Sequence, residues 1–255
     1  MNRKMLQVYF ICGTSDCPKG KFLDVLEKAL QAGITCFQFR EKGEQGLTGA
    51  DKLLLAKQVQ HLCHRYQVPL IINDDVELAR AIDADGIHLG QEDLSVVEAR
   101  QLFPGKIIGL SVGTKEEYLN PPIDLVDYIG SGPVFPTLSK DDASPAIGMD
   151  GLKQLRKLNS DIPMVAIGGL SAKDCKEVLQ AGADGIAVIS AISHAEDPYK
   201  ATKILVDGMQ AMILKFNQVE SNKQILKHTK ISSEEISDGR KYSLLFLYDK
   251  VEVSC

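Results

Sequence analysis

A (β/α)8 TIM barrel, an α/β fold with eight parallel strands, is the fold class that this chain of 255 residues predicts. Three observations carry the prediction. Eight short β-rich runs alternate with helix-length amphipathic stretches, the order that builds a parallel sheet. The runs are continuously apolar, as strands covered on both faces are. Each run also stops at a polar cluster, as strands do when their C-terminal ends form an active face.

The expected strands are 8–12, 35–40, 70–73, 86–89, 107–110, 128–130, 164–167 and 185–189. Between them, Leu23, Leu26, Ala29 and Leu30 recur at helical spacing, and so do Leu54, Leu55, Val59 and Leu62. Ser171 with Asp174 has the form of a capping box ahead of Cys175, Val178 and Leu179. Pro69 and Pro163 each stand just before a strand, where they stop the preceding helix. The run Ala84-Asp85-Gly86-Ile87 returns as Ala183-Asp184-Gly185-Ile186, four βα units later, the spacing of half-barrel symmetry. The barrel accounts for residues 1–216. Residues 217–255 form an atypical C-terminal extension, in which 220–240 reads as a solvated linker or frayed helix. The apolar run 242–248 reads as a strand, a dimer contact or a non-native tail.

Composition narrows the partners. A net charge of -5 lacks the basic stripe that nucleic acid requires. No apolar run approaches the roughly 20 residues that span a bilayer, and the basic start leads into a strand too short for a signal-peptide core. The expectation is a cytoplasmic protein acting on small molecules, with no nucleic-acid or membrane partner and with homo-oligomerisation left open. The cysteines are Cys12, Cys17, Cys36, Cys63, Cys175 and Cys255. None forms a C-x-x-C pair or a zinc spacing with histidine. Cys36 and Cys175 read as small core residues. Cys12 or Cys17 could be reactive, but no activating group is evident beside either.

The chemistry lies at the strand ends. Gln38, Arg40 and Lys42 have period-two spacing and share one face of the second strand, with Phe37 and Phe39 on the other. Two cations at a barrel mouth need an anion, and a guanidinium fork beside an ammonium suits phosphate. The bland alternative is an ion pair with Glu41 or another acid. Asn73 and Asp74 close the third strand and Asp93 follows the fourth, so two carboxylates face each other near those cations. That is the usual way to hold Mg²⁺ with a bound phosphate; helix capping by Asp74 or Asp75, and by Asp93 or Ser95, is the alternative. His88 reads as a hydrogen-bonded strand residue rather than a base. Gly109 would let a ligand approach the backbone near Ser111. Thr137, Ser139 and Lys140 sit on a Gly/Pro-rich loop whose continuation, 140–145, reads as a polar lid. Gly168-Gly169 and Ile189-Ser190 end the last two strands, where barrels commonly bind a phosphate. Two separate phosphate sites are expected.

Taken together these residues resemble the thiamine-phosphate synthase family. The family pattern Q-x-R-x-K is Gln38 to Lys42, I-N-D is Ile72-Asn73-Asp74, and H-x-G-Q-x-D is His88 to Asp93. G-x-S is Gly109 to Ser111, and the loop G-P-x-F-P-T-x-[ST]-K is Gly132 to Lys140. I-G-G ends at Gly169, and V-[IV]-S-A-I is Val188 to Ile192. The resemblance implies condensation of hydroxymethylpyrimidine diphosphate with a thiazole phosphate, giving thiamine phosphate and diphosphate. It implies one Mg²⁺ per active site, held by Asp74 and Asp93. Gln38, Phe39, Arg40, Glu41, Lys42, Asn73, Ser111 and Lys140 would bind the pyrimidine diphosphate, with Arg40, Lys42, Ser111 and Lys140 in catalytic roles. Thr137, Leu138, Ser139, Gly169, Ile189 and Ser190 would bind the thiazole phosphate. Ser139 stands where the family often has threonine, and the C-terminal extension has no family counterpart. The rivals are a TenI-type thiazole tautomerase on the same barrel and a non-catalytic phosphate-ligand sensor.

Overall fold

Eight parallel strands close on themselves in sequence order, β1 pairing with both β2 and β8. The computed structural model describes residues 2–43, 45–137 and 145–228, with side chains to residue 219. The strands are β1 Val8–Cys12, β2 Cys36–Phe39, β3 Leu70–Asn73, β4 Gly86–Leu89, β5 Ile107–Val112, β6 Tyr128–Ser131, β7 Met164–Ile167 and β8 Gly185–Val188. All eight lie where the sequence predicts them. The helices are α1 Phe22–Ala32, α2 Gly49–Arg65, α3 Val76–Ala81, α4 Val96–Leu102, α5 Lys115–Leu119, α6 Gly148–Leu158, α7 Cys175–Gln180, α8 Ser190–Ser193 and α9 Pro198–His228.

Strand alternation divides the apolar residues into two cores. Tyr9, Ile11, Cys36, Ile71, Tyr128, Val165 and Ala187 form one cluster. On the other face of the sheet Phe37 stacks at a tilt on Phe10 and Phe22, and Phe39 on Phe22 of α1. α1 buries Val25, Leu26, Ala29 and Leu30, close to the predicted stripe. α2 follows its prediction in part: Val59 is buried, with Ala56 and Cys63, Leu55 and Leu62 are half-buried, and Leu54 is 61% exposed. Small side chains take the most buried positions there, and the leucines flank them.

The base of the barrel explains the sequence echo. Asp85 and Asp184, each just before an even strand, accept the backbone N–H of Leu70 and Met164 through their carboxylates, both at 2.8 Å. Asp127 does the same for Ile108 before β6, and the hydroxyl of Thr35 serves Val8 before β2. Every even strand is thus stitched to its odd neighbour by one polar side chain. At Gly185 a β-carbon would fall 1.7 Å from the Leu6 carbonyl oxygen, so only glycine fits.

Pro69 and Pro163 stand where expected, and Ser171 with Asp174 forms the predicted capping box, here opening a short 3₁₀ turn before α7. α9 runs without a break past residue 216, so 220–228 is helix rather than linker. Residues up to Met209 form one compact unit; Leu205, Val206 and Met209 are buried in it. A second unit begins at Gln210, and its described part is the rest of α9. The apolar run 242–248 lies outside the described residues. No described helix is long and apolar enough to cross a membrane.

Candidate active site at the barrel mouth

A cavity of about 710 Å³ opens at the C-terminal ends of the strands. From β2 to β5 it is lined by Arg40, Lys42, Asn73, Asp74, Asp93 and Ser111, and from β6 to β8 by Thr137, Gly169, Ile189 and Ser190. The sequence places all ten of these residues at the mouth. Leu138, Ser139, Lys140 and the lid segment after Lys140 lie outside the described residues, apart from Pro145.

Three expected side chains do not line this cavity. Gln38 points inward from β2 one layer below Arg40; it is 1% exposed and donates to the Tyr9 hydroxyl at 2.9 Å. Phe39 is buried against Phe22 on the outer face of the strand. Glu41 falls on that same alternation, and its carboxylate accepts from the backbone N–H of Thr14 and of Leu47, both at 2.8 Å, and from the Thr14 hydroxyl. It secures the loops after β1 and β2 rather than pairing with the cations. Gln38 lines a second, smaller hollow beneath the mouth with Tyr9, His88, Ser111 and Tyr128.

The carboxylates separate by role. Asp75 caps α3 by accepting the Leu78 N–H at 3.0 Å, and Ser95 caps α4 in a box with Glu98. Capping therefore leaves Asp74 and Asp93 to the cavity. Asp74 sits at φ +49°, a left-handed conformation that is strained for most side chains and clusters at functional sites. Its N–H is held by the His88 carbonyl at 2.9 Å. Its carboxylate pairs with the Lys42 ammonium and accepts from Asn73 Nδ2 at 3.0 Å. Burial pushes the Asp74 carboxyl above the usual range, Lys42 pulls it down, and the charge of Asp93 raises it again. Asp93 also accepts the Gly90 N–H at 2.6 Å. Two mutually repelling carboxylates in one mouth offer hard oxygen donors that suit Mg²⁺. No group of three or more His, Cys, Asp or Glu side chains placed to hold a metal occurs among the described residues. Such an ion would complete its shell with water and substrate phosphate.

Ser111 Oγ lies 3.0 Å from His88 Nε2, and Gln91 fixes the Ser111 carbonyl at 2.6 Å. His88 is hydrogen-bonded on both ring nitrogens, as a strand residue rather than a free base. Gly109 serves a different purpose from the one expected: a β-carbon there would meet the Tyr128 ring at 2.2 Å and His88 Nδ1 at 2.4 Å. It makes room for side chains, not for ligand. Tyr9 and Tyr128 escape a sequence reading because tyrosine in an apolar strand looks like core. The available signal was that a buried hydroxyl must find a partner.

Burial makes poor nucleophiles of Cys12, Cys36, Cys63 and Cys175. Cys12 and Cys17 lie with their sulfurs 3.4 Å apart, and burial pushes the Cys12 thiol well up. Burial also raises Cys63 to about 12 and Cys175 to about 11.

The model of the thiamine monophosphate synthase family matches residues 8–192. A thiamine-phosphate synthase of Streptococcus suis is 99% identical over 228 residues, covering 89% of this chain and 100% of that protein. A thiamine-phosphate synthase of Streptococcus agalactiae is 56% identical over 200 residues, covering 78% of this chain and 90% of the relative. The solved structure of a thiamine phosphate pyrophosphorylase from Pyrococcus furiosus superposes with a TM-score of 0.73 at 35% identity, covering 82% of this chain and 98% of that one. With the barrel, its mouth and these likenesses together, the chain belongs to the thiamine monophosphate synthase family.

Proposed function

We propose that this chain is a Mg²⁺-dependent thiamine-phosphate synthase. It joins 4-amino-2-methyl-5-hydroxymethylpyrimidine diphosphate to 4-methyl-5-(2-hydroxyethyl)thiazole phosphate and releases diphosphate. The observation that carries the reading is the meeting of Arg40 and Lys42 with the paired carboxylates Asp74 and Asp93 in one mouth. Cations alone suit a phosphate, whereas cations beside two uncapped acids suit a metal-bound diphosphate.

In this reading Asp74 and Asp93 hold the ion, which when bound neutralises charge on the leaving diphosphate. Arg40, Lys42, Asn73, Ser111 and Lys140 grip the diphosphate and stabilise it as the methylene C–O bond breaks. The electron-rich aminopyrimidine supports the resulting cation. Thr137, Leu138, Ser139, Gly169, Ile189 and Ser190 hold the thiazole by its phosphate, so that its ring nitrogen attacks the methylene carbon. The bond-forming step needs no general base, which agrees with a His88 already engaged on both nitrogens. We place the protein in the cytoplasm, where the free thiols of Cys12, Cys17, Cys36, Cys63 and Cys175 stay reduced.

The test is incubation of purified protein with both substrates and Mg²⁺, read as thiamine phosphate formed with and without EDTA. Product that disappears with EDTA supports the reading. Well-folded protein that makes none overturns it, and conversion of the thiazole substrate alone would point to a tautomerase.

A further inference from the structure

Four hydrogen bonds, three of them buried and the last half-buried, link the barrel interior to the mouth. Gln38 Nε2 lies 2.9 Å from Tyr9 Oη, which lies 2.7 Å from Tyr128 Oη. Tyr128 Oη lies 2.9 Å from His88 Nδ1, and His88 Nε2 lies 3.0 Å from Ser111 Oγ. We propose that this chain is a one-way relay: it fixes His88 as the Nε2–H tautomer and so leaves the Ser111 hydroxyl proton directed into the cavity. Tyr9, Tyr128 and His88 are then positioning residues, acting on substrate only through Ser111.

The direction follows from the end of the chain. An amide nitrogen can only donate, so Tyr9 Oη accepts from Gln38 and its own proton turns to Tyr128. Tyr128 Oη, having accepted, gives its proton to His88 Nδ1. That nitrogen must then be bare, so the ring proton of neutral His88 sits on Nε2 and goes to Ser111 Oγ. Ser111 accepts there and keeps its proton for the cavity it lines. The reverse order would require a proton given to an amide nitrogen, and it would present only a lone pair to the mouth.

The strand register is built for the central link. His88, Gly109 and Tyr128 are consecutive partners across β4, β5 and β6. The side chains on either side meet over the missing β-carbon of Gly109, where that atom would overlap both rings. A donor hydroxyl at Ser111 suits the anion that leaves in the proposed reaction, and to that extent the inference rests on that reading.

The experiment is ¹⁵N spectroscopy of the histidine rings in the full-length chain, with His88 assigned by loss of its signals in His88→Asn. The relay predicts a bare Nδ1 and a protonated Nε2 without any substrate, so its outcome is separate from the turnover assay. In Tyr128→Phe, His88 loses its fixed tautomer and kcat falls about tenfold, with KM for the thiazole phosphate unchanged. Tyr9→Phe gives a smaller fall in the same direction. A wild-type His88 protonated on Nδ1 overturns the relay, as does a folded Tyr128→Phe with unaltered tautomer and kcat. The wild-type spectrum decides the matter even where a variant fails to fold.

Discussion

The two ends of the barrel both present carboxylates to strand termini, yet they satisfy them in opposite ways. At the base, Asp85, Asp127 and Asp184 each accept a backbone N–H from the neighbouring strand. Arginines complete two of them: Arg100 on Asp127 at 2.7 Å, and Arg3 and Arg156 on Asp184 at 2.7 and 3.2 Å. At the mouth, Asp74 and Asp93 repel each other, Asp74 in a left-handed conformation beside a lysine. A carboxylate bonded to backbone and arginine holds strands together. Carboxylates that line an open cavity and repel each other would suit the cation of the proposed reaction. The same residue type thus serves stability at one end and, in the proposed reaction, chemistry at the other.

Substitutions at either end should break or sharpen this division. The largest effect is expected at the mouth: Arg40→Ala should lower kcat/KM by about 10²–10³-fold with the unfolding temperature little changed, as for loss of one preorganised charge donor. Parallel turnover and thermal melts check both halves of the statement. At the base, Asp184→Ala strands the Met164 N–H and takes one carboxylate partner from Arg3 and Arg156, which keep their carbonyl partners, and should cost ~2 kcal/mol in urea unfolding, with turnover per folded molecule retained. Gly185→Ala forces a β-carbon onto the Leu6 carbonyl and should destabilise by ~2 kcal/mol, read the same way.

The smallest effect belongs to Asp75, next in sequence to Asp74 but a cap. Burial pushes its carboxyl up, but Lys52 and the Leu78 N–H outweigh burial and hold it below the usual range. Its contribution is therefore complete above the ordinary aspartate value near ~3.9 and fades as pH falls through the lowered value. Asp75→Ala should cost ~1 kcal/mol at pH 7, and chemical denaturation at descending pH should show the gap from wild type closing.

Much of this was legible in the sequence for a physical reason. Parallel strands covered on both faces must be apolar throughout, so the eight runs stand out, and Asn73, Asp74 or Ser111 at their ends stand out against them. Alternation also placed Gln38, Arg40 and Lys42 on one face, but not in one layer: a barrel interior has depth, and Gln38 lies beneath the cavity that Arg40 and Lys42 line. Glu41 could have been rejected by the same alternation, which turns it toward the Thr14 N–H. The role of Tyr9 and Tyr128 depends on two strands meeting across the barrel, a contact that no local pattern encodes. The stitch before each even strand was half visible, because only Asp85 and Asp184 share their neighbours, while Thr35 and Asp127 do the same work in other contexts.

The division between the ends is tested most directly by Asp93→Ala, assayed for thiamine phosphate formation across a Mg²⁺ titration with its thermal unfolding measured beside it. The account predicts loss of Mg²⁺-dependent turnover with an unfolding temperature close to wild type. Full turnover at saturating substrate and Mg²⁺, or a collapse in stability like that expected of Asp184→Ala, would contradict it.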